Sequence, residues 1–212
     1  MHLGNLWSCL LAWLAARSVG GGMVLRLEDL DPDRCRPEFC DQVMGDLDWL
    51  GLDWDGQPIY QSRRTQAYAA AFHALEERGL VYPCFCTRAQ RLAASAPHRS
   101  DGAALYSGRC RHLAPEARAA LSARRVPAWR IQVPEETVSF RDKLQGDCAQ
   151  NLAAECGDFI LRRSDGVYAY QLAVVVDDAF QGVTQVVRGS DLLDSAPRQL
   201  WLHKELGRPH PG

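Results

Sequence analysis

The sequence predicts an α/β domain interrupted by a smaller inserted one. Three observations lead there. An apolar helical segment runs into a short apolar strand, two amphipathic helices follow, and from Tyr82 the pattern changes to short strands with a cysteine pair before α/β character returns.

A chain of 212 residues, 47% hydrophobic and 24% charged, is ordinary for one large or two small folded domains. At this length folding buries roughly 70% of the unfolded surface, so a core needs neither disulfide nor metal. Any metal site therefore requires its own explanation. The 11 prolines and 17 glycines are too few for a low-complexity or collagen-like chain, and no repeat is visible. A net charge of -2 excludes general affinity for nucleic acid, so RNA contact would need a local patch. Lys143 and Lys204 are the only lysines among 24 basic residues. That arginine bias is explained by gene base composition more simply than by phosphate recognition.

The first helix is expected over Asn5 to Ser18, where Leu6, Leu10, Trp13 and Leu14 recur at helical spacing before the glycines at 20–22. No basic residue precedes this run and Arg17 closes it, so it does not read as a signal peptide, and no segment is long enough to span a membrane. The eight cysteines then read as reduced cytoplasmic thiols. Met23 to Leu27 predicts a buried strand ending in an acidic turn. Glu38 to Leu50 and Arg63 to Leu80 predict amphipathic helices, and an Ala/Arg-rich helix is expected around Pro115 to Arg125. Phe159 to Leu161, Tyr168 to Val176 and Val183 to Val187 are strand candidates, followed by a helix over Asp191 to Leu206. The resulting division is a discontinuous α/β domain, 1–81 and 158–212, with an insertion at 82–157.

Three constellations carry chemistry. His2-Leu3-Gly4-Asn5 opens the first helix, where free N–H groups and the helix dipole favour an anion, and Gly4 permits close approach of a nucleotide. Arg26-Leu27-Glu28-Asp29-Leu30-Asp31-Pro32 sets carboxylates at a strand's carboxyl end, the usual ligand edge of an open α/β sheet. Strand alternation sends Arg26 and Glu28 to one side, one suited to a negative group and the other to an ammonium. Cys84-Phe85-Cys86 with Cys110 offers three thiolates for a tetrahedral zinc. Cys9, Cys35, Cys40, Cys148 and Cys156 show no ligand spacing and read as packing residues.

Together with Tyr170-Gln171-Leu172-Ala173 and Val186-Val187-Arg188-Gly189, these segments in collinear order resemble the catalytic domain of class I glutamyl-tRNA synthetases. Within that family the likeness is greatest to the shortened, queuosine-modifying branch, and it covers essentially the whole chain. The resemblance implies a Rossmann-like catalytic domain with an inserted zinc-containing, acceptor-type subdomain. It implies activation of L-glutamate by ATP with Mg2+, then ligase-type transfer of glutamate to queuosine in the anticodon of tRNA(Asp). His2 and Gly4 are then expected at ATP, and Glu28, Tyr170 and Arg188 at glutamate. Zinc is expected on Cys84, Cys86, Tyr106 and Cys110, Tyr106 matching the branch's Tyr-x3-Cys arrangement, with His112 as the chemically commoner fourth ligand. A cytoplasmic monomer acting on tRNA, with no DNA or membrane partner, follows.

The chain departs from the family pattern at both ends. An Arg-x-x-Pro-Ser-Pro-Ser-Gly segment normally precedes His-x-Gly, and a lysine-rich loop normally lies just beyond Gly212. The expectation is a sequence truncated at both ends, with weak adenylate formation. The alternatives are an ordinary or truncated glutamyl-tRNA synthetase charging tRNA(Glu), a zinc-stabilised RNA-binding module impaired in catalysis, and another nucleotidyl-transferring enzyme.

Overall fold

The computed structural model describes residues 1, 3–31, 35–87 and 105–212. Helix α1 spans Leu3–Arg17, yet it has no buried residue, so its apolar composition is not matched by packing among the described residues. The strand expected over Met23 to Leu27 contracts to β1, Arg26–Leu27, because its parallel partner β2 is only Ile59–Tyr60. Helix α2, Pro37–Trp49, opens with proline in its first turn, where the missing N–H costs nothing.

The helix expected from Arg63 to Leu80 divides. A 3-10 turn covers Gln61–Arg64, and α3 follows over Thr65–Glu77. Tyr68, Ala71, Phe72 and Leu75 are its buried face, at the i, i+3, i+4, i+7 spacing of a half-buried helix. Gly79 ends it at φ 70°, a left-handed turn that lets Leu80 N reach Leu75 O at 3.1 Å.

Strands β3, Val81–Cys84, β4, Ala128–Ile131, and β7, Phe159–Arg162, form one antiparallel sheet in the order β3-β4-β7. This sheet pairs strands from both sides of residue 157, where the sequence placed a boundary. Helix α4, Pro115–Ser122, leads into β4, and β5, Thr137–Asp142, pairs with β6, Gly146–Asn151, as a hairpin. The architecture is thus mixed helix and strand, and β1–β2 is the one parallel pairing among the described residues.

Two expected strands are corrected. Tyr168 to Val176 belongs mostly to helix α5, Tyr170–Gln181. Residues 172–176 are apolar and buried on every side, so no polar face breaks that run and the three valines imitate a strand. Val183 to Val187 forms no strand; Val183 N closes the helix end on Asp178 O at 2.9 Å, and Thr184 O accepts from Gly212 N at 2.9 Å. The last helix, α6, spans Ser195–Glu205 after a 3-10 turn at Ser190–Leu192.

The main core lies where α3, α5 and α6 meet β4 and β7, with Tyr68, Phe72, Leu75, Ile131, Leu161, Leu172, Val175 and Leu202 all essentially inaccessible. Phe72 meets Trp129 edge-on at 5.8 Å between ring centroids. A second, smaller cluster joins Tyr82, Cys84, Tyr106 and Cys110. Among the described residues, no helix is long and apolar enough to cross a membrane.

Candidate functional site

The acidic turn after β1 distributes its carboxylates to different tasks. Asp29 accepts from Ser62 N at 2.9 Å and Ser62 Oγ at 2.6 Å, pinning the turn that begins α3. Asp31 pairs with Arg163 Nη1 at 2.6 Å. Glu28 is left at an opening, its side chain 44% exposed, with Arg26 Nε 3.7 Å from Oε1. Crowding still raises its carboxyl pKa through desolvation, with Asp178 and Asp177 adding to that rise while Arg26 and Arg188 oppose it.

Tyr170 stands at the first turn of α5, partly exposed. Its phenol is pushed up first by desolvation and then by the charge of Glu28, against Arg188, Gln199 and Arg26. Glu28, Tyr170 and Arg188 therefore lie near enough to feel one another's charges. Arg188 Nη1 is buried and finds no hydrogen-bond partner among the described residues. An unfilled guanidinium donor is suited to a carboxylate partner.

Arg26 is not free for a ligand, as its spacing had allowed. Its Nη1 donates to Asp178 Oδ1 at 2.8 Å and Gln181 Oε1 at 2.9 Å. Gly4 is an exposed residue in the first turn of α1, its carbonyl accepting Ser8 Oγ at 3.1 Å. His2 lies outside the described residues.

The thiols converge without a regular strand to align them, since β3 ends at Cys84. The sulfurs of Cys84, Cys86 and Cys110 all lie within 4.8 Å of one another, and Cys86 Sγ is 3.5 Å from Cys110 Sγ. Tyr106 Oη sits 3.4 Å from Cys84 Sγ and 3.7 Å from Cys86 Sγ, accepting from Cys110 N at 3.0 Å. His112 is exposed and stands outside this donor group.

For Cys84, burial opposes the thiolate, but hydrogen bonds from Tyr106, the Cys86 backbone and Arg130 outweigh it and lower the pKa. The Cys86 thiol is pushed up to about 11 by burial and by its neighbouring sulfurs, and burial raises the Tyr106 phenol. Three soft donors and a phenol oxygen at this separation are a donor set of the kind that tetrahedral zinc takes.

The sequence matches the family described as class I tRNA synthetases (E and Q), catalytic domain, over residues 1–211. The chain belongs to this family. A glutamyl-Q tRNA(Asp) synthetase of Nitratidesulfovibrio vulgaris is 52% identical over 222 residues, spanning 100% of this chain and 68% of the relative. The namesake from Thiobacillus denitrificans is 47% identical, covering 100% and 67%. The crystal structure of a glutamate tRNA ligase from Elizabethkingia meningosepticum, in complex with its amino acid, superposes with a TM-score of 0.83 at 25% identity. It covers all of this chain and 45% of that one; the Elizabethkingia anophelis enzyme gives 0.85 and 46%. The chain thus spans about two thirds of these curated relatives and under half of the crystallised ligases.

Within this synthetase domain, sequence reasoning missed the supporting residues. Asp177, fully buried, accepts from Arg64 Nε at 2.6 Å, Tyr68 Oη at 2.7 Å and Gln61 Nε2 at 3.0 Å. Beside the thiols, Arg130 hydrogen-bonds Cys84, and Arg111, the residue after Cys110, pairs with Asp158. The available signal was Asp177-Asp178 within an apolar run, since buried carboxylates require partners.

Proposed function

We propose that this synthetase domain activates L-glutamate with ATP and transfers the glutamyl group to queuosine in the anticodon of tRNA(Asp), in the cytoplasm. The observation that supports the substrate reading is Arg188: its Nη1 is buried and unpartnered, and its charge acts on a carboxylate, Glu28, and a phenol, Tyr170. Glu28 binds the ammonium, Arg188 a carboxylate, and Tyr170 a further polar edge of glutamate. The names of the relatives supply the second substrate.

In the first step the α-carboxylate oxygen of glutamate attacks the α-phosphorus of ATP, and pyrophosphate leaves with the electrons of the broken P–O bond. No protein nucleophile is needed. The domain contributes alignment and charge balance, with Glu28 and Arg188 fixing the amino acid's two ends. Gly4, in the first turn of α1, where unpaired N–H groups attract phosphate, and His2, two residues before it in the sequence, hold the nucleotide. In the second step the queuosine hydroxyl attacks the acyl carbon and AMP leaves.

Cys84, Cys86, Cys110 and Tyr106 hold a structural zinc in the inserted segment 82–157. When bound, that ion cross-links the 105–112 segment to the end of β3 and takes no part in glutamyl transfer. The protein acts as a monomer.

The decisive assay pairs glutamate-dependent exchange of pyrophosphate into ATP with transfer of labelled glutamate to tRNA(Asp), with and without queuosine. Labelling of queuosine-bearing tRNA(Asp) alone is the expected result. Labelling of tRNA(Glu) at its terminal ribose would overturn the substrate assignment, and tRNA retention without ATP turnover would overturn the enzymatic one.

A further inference from the structure

Asp178 has a use that the substrate contacts leave unexplained. Its neighbour Asp177 is saturated by three donors and ties α3 to α5. Asp178, with its side chain 5% exposed, instead reaches Arg26 at 2.8 Å across 152 residues of sequence. Gln181 Oε1, one turn on, takes the same Nη1 at 2.9 Å. The guanidinium is therefore gripped from the α5 side, at the end remote from Glu28.

The consequence is visible at the other end. Arg26 Nε approaches Glu28 Oε1 only to 3.7 Å and has no hydrogen-bond partner among the described residues. An arginine and a glutamate two residues apart at a strand end have every electrostatic reason to close into a direct hydrogen-bonded pair. Here they come only to ion-pair distance, 3.7 Å, short of a hydrogen bond, although the donor nitrogen is buried and unfilled.

We propose that Asp178 is a positioning residue for substrate binding: by holding Arg26 back, it keeps the Glu28 carboxylate open to the ammonium of glutamate. This rests on Glu28 being the ammonium's partner, as argued above. Arg26 still lends a positive charge at a distance, which favours an ionised Glu28 without occupying it. Without Asp178, the nearest acceptor for Arg26 Nε is Glu28, and the substrate's ammonium must compete with an internal cation.

The test is calorimetric binding of L-glutamate to the full chain, with glutarate, which lacks the amine, in parallel. Asp178→Asn should weaken glutamate roughly tenfold or more, the size of one lost charge-assisted contact, while glutarate changes less than about threefold. Adding Arg26→Gln to Asp178→Asn should then recover a large part of glutamate affinity, because the competing cation is gone. A merely structural Asp178 predicts the opposite: a double variant as weak as the single one or weaker, with glutarate falling in parallel, and either outcome overturns the proposal. Gln181→Ala serves if Asp178→Asn does not fold. It loosens the same grip without leaving a buried charge unpaired, and should weaken glutamate selectively by about twofold to fivefold; unchanged binding overturns the proposal. A parent chain that binds ATP but not glutamate overturns the substrate reading itself, and is thereby distinguished from failure of the Asp178 role.

Discussion

Arg111 clamps the buried carboxylate of Asp158, Nε donating to Oδ2 at 2.9 Å and Nη2 to Oδ1. Arg111 directly follows Cys110. Asp158 also accepts from Tyr82 Oη and from Val133 N, and its carbonyl takes Arg130 Nη1, whose guanidinium lies 3.9 Å over the Tyr106 ring. One carboxylate thereby anchors the segment bearing Cys110 and Tyr106 to the β3-β4-β7 sheet. Asp158→Asn should weaken zinc retention by roughly 10- to 100-fold, the usual cost of losing a supporting partner. Competition against a chromogenic chelator measures it, and unchanged affinity would show that the clamp does not serve the thiols.

The fourth donor can be distinguished by two single changes. Tyr106→Phe keeps the ring beneath Arg130 and removes only the oxygen that lies 3.4 Å from Cys84 Sγ. It should lower zinc affinity by about tenfold or more, whereas His112→Ala should leave it unaltered. Cobalt-substituted protein offers a second reading, since loss of a ligand alters the visible d–d bands.

Asp177 is a stability determinant apart from substrate binding. Tyr68→Phe removes one of its three donors at a fully buried position, and should cost about 1–3 kcal/mol. Asp177→Ala strands Arg64, whose side chain is 16% exposed, and should cost about 3–5 kcal/mol. Urea denaturation midpoints test both, and a loss below about 0.5 kcal/mol for Tyr68→Phe would contradict the network.

Glutamate binding should carry the signature of Glu28. Desolvation holds its carboxyl above the ordinary value, so protonation begins at a higher pH than for an exposed glutamate. Affinity for glutamate should fall as pH drops through that raised pKa, while binding of glutarate, with no ammonium, should not follow it. Glu28→Gln should weaken glutamate and abolish the difference between the two profiles.

His203 supplies a pH dependence of folding. It is 1% exposed, its Nδ1 has no hydrogen-bond partner among the described residues, and burial lowers its pKa. The unfolded chain therefore binds this proton more readily than the folded one. Its contribution is complete above the unfolded pKa of about 6.5 and is lost as pH falls from there towards the depressed folded value. His203→Gln should flatten the thermal midpoint between those limits.

Much of the fold was legible where one face of an element meets water. The buried face of α3 repeats as Tyr68, Ala71, Phe72 and Leu75, and the periodicity shows in the chain. Helix α5 defeats the same reasoning because residues 172–176 are apolar and covered all round, leaving nothing polar within them to mark a turn. The expected first strand shrank for a different reason: its hydrogen-bonding partner, Ile59–Tyr60, is remote in sequence and only two residues long.

By itself, the sequence determined the family, through the order of its motifs, and named the chemically distinctive residues: three thiols, a phenol, Glu28, Tyr170 and Arg188. Those identities are local and survive reading in one dimension. What each charge is free to do was decided only by the tertiary structure. Arg26 and Glu28 lie two residues apart in the chain, yet the hydrogen bond of Arg26 goes to Asp178, 152 residues away, while Glu28 meets it only at ion-pair distance. Electrostatic forces act through space, so the availability of a side chain depends on every group packed against it.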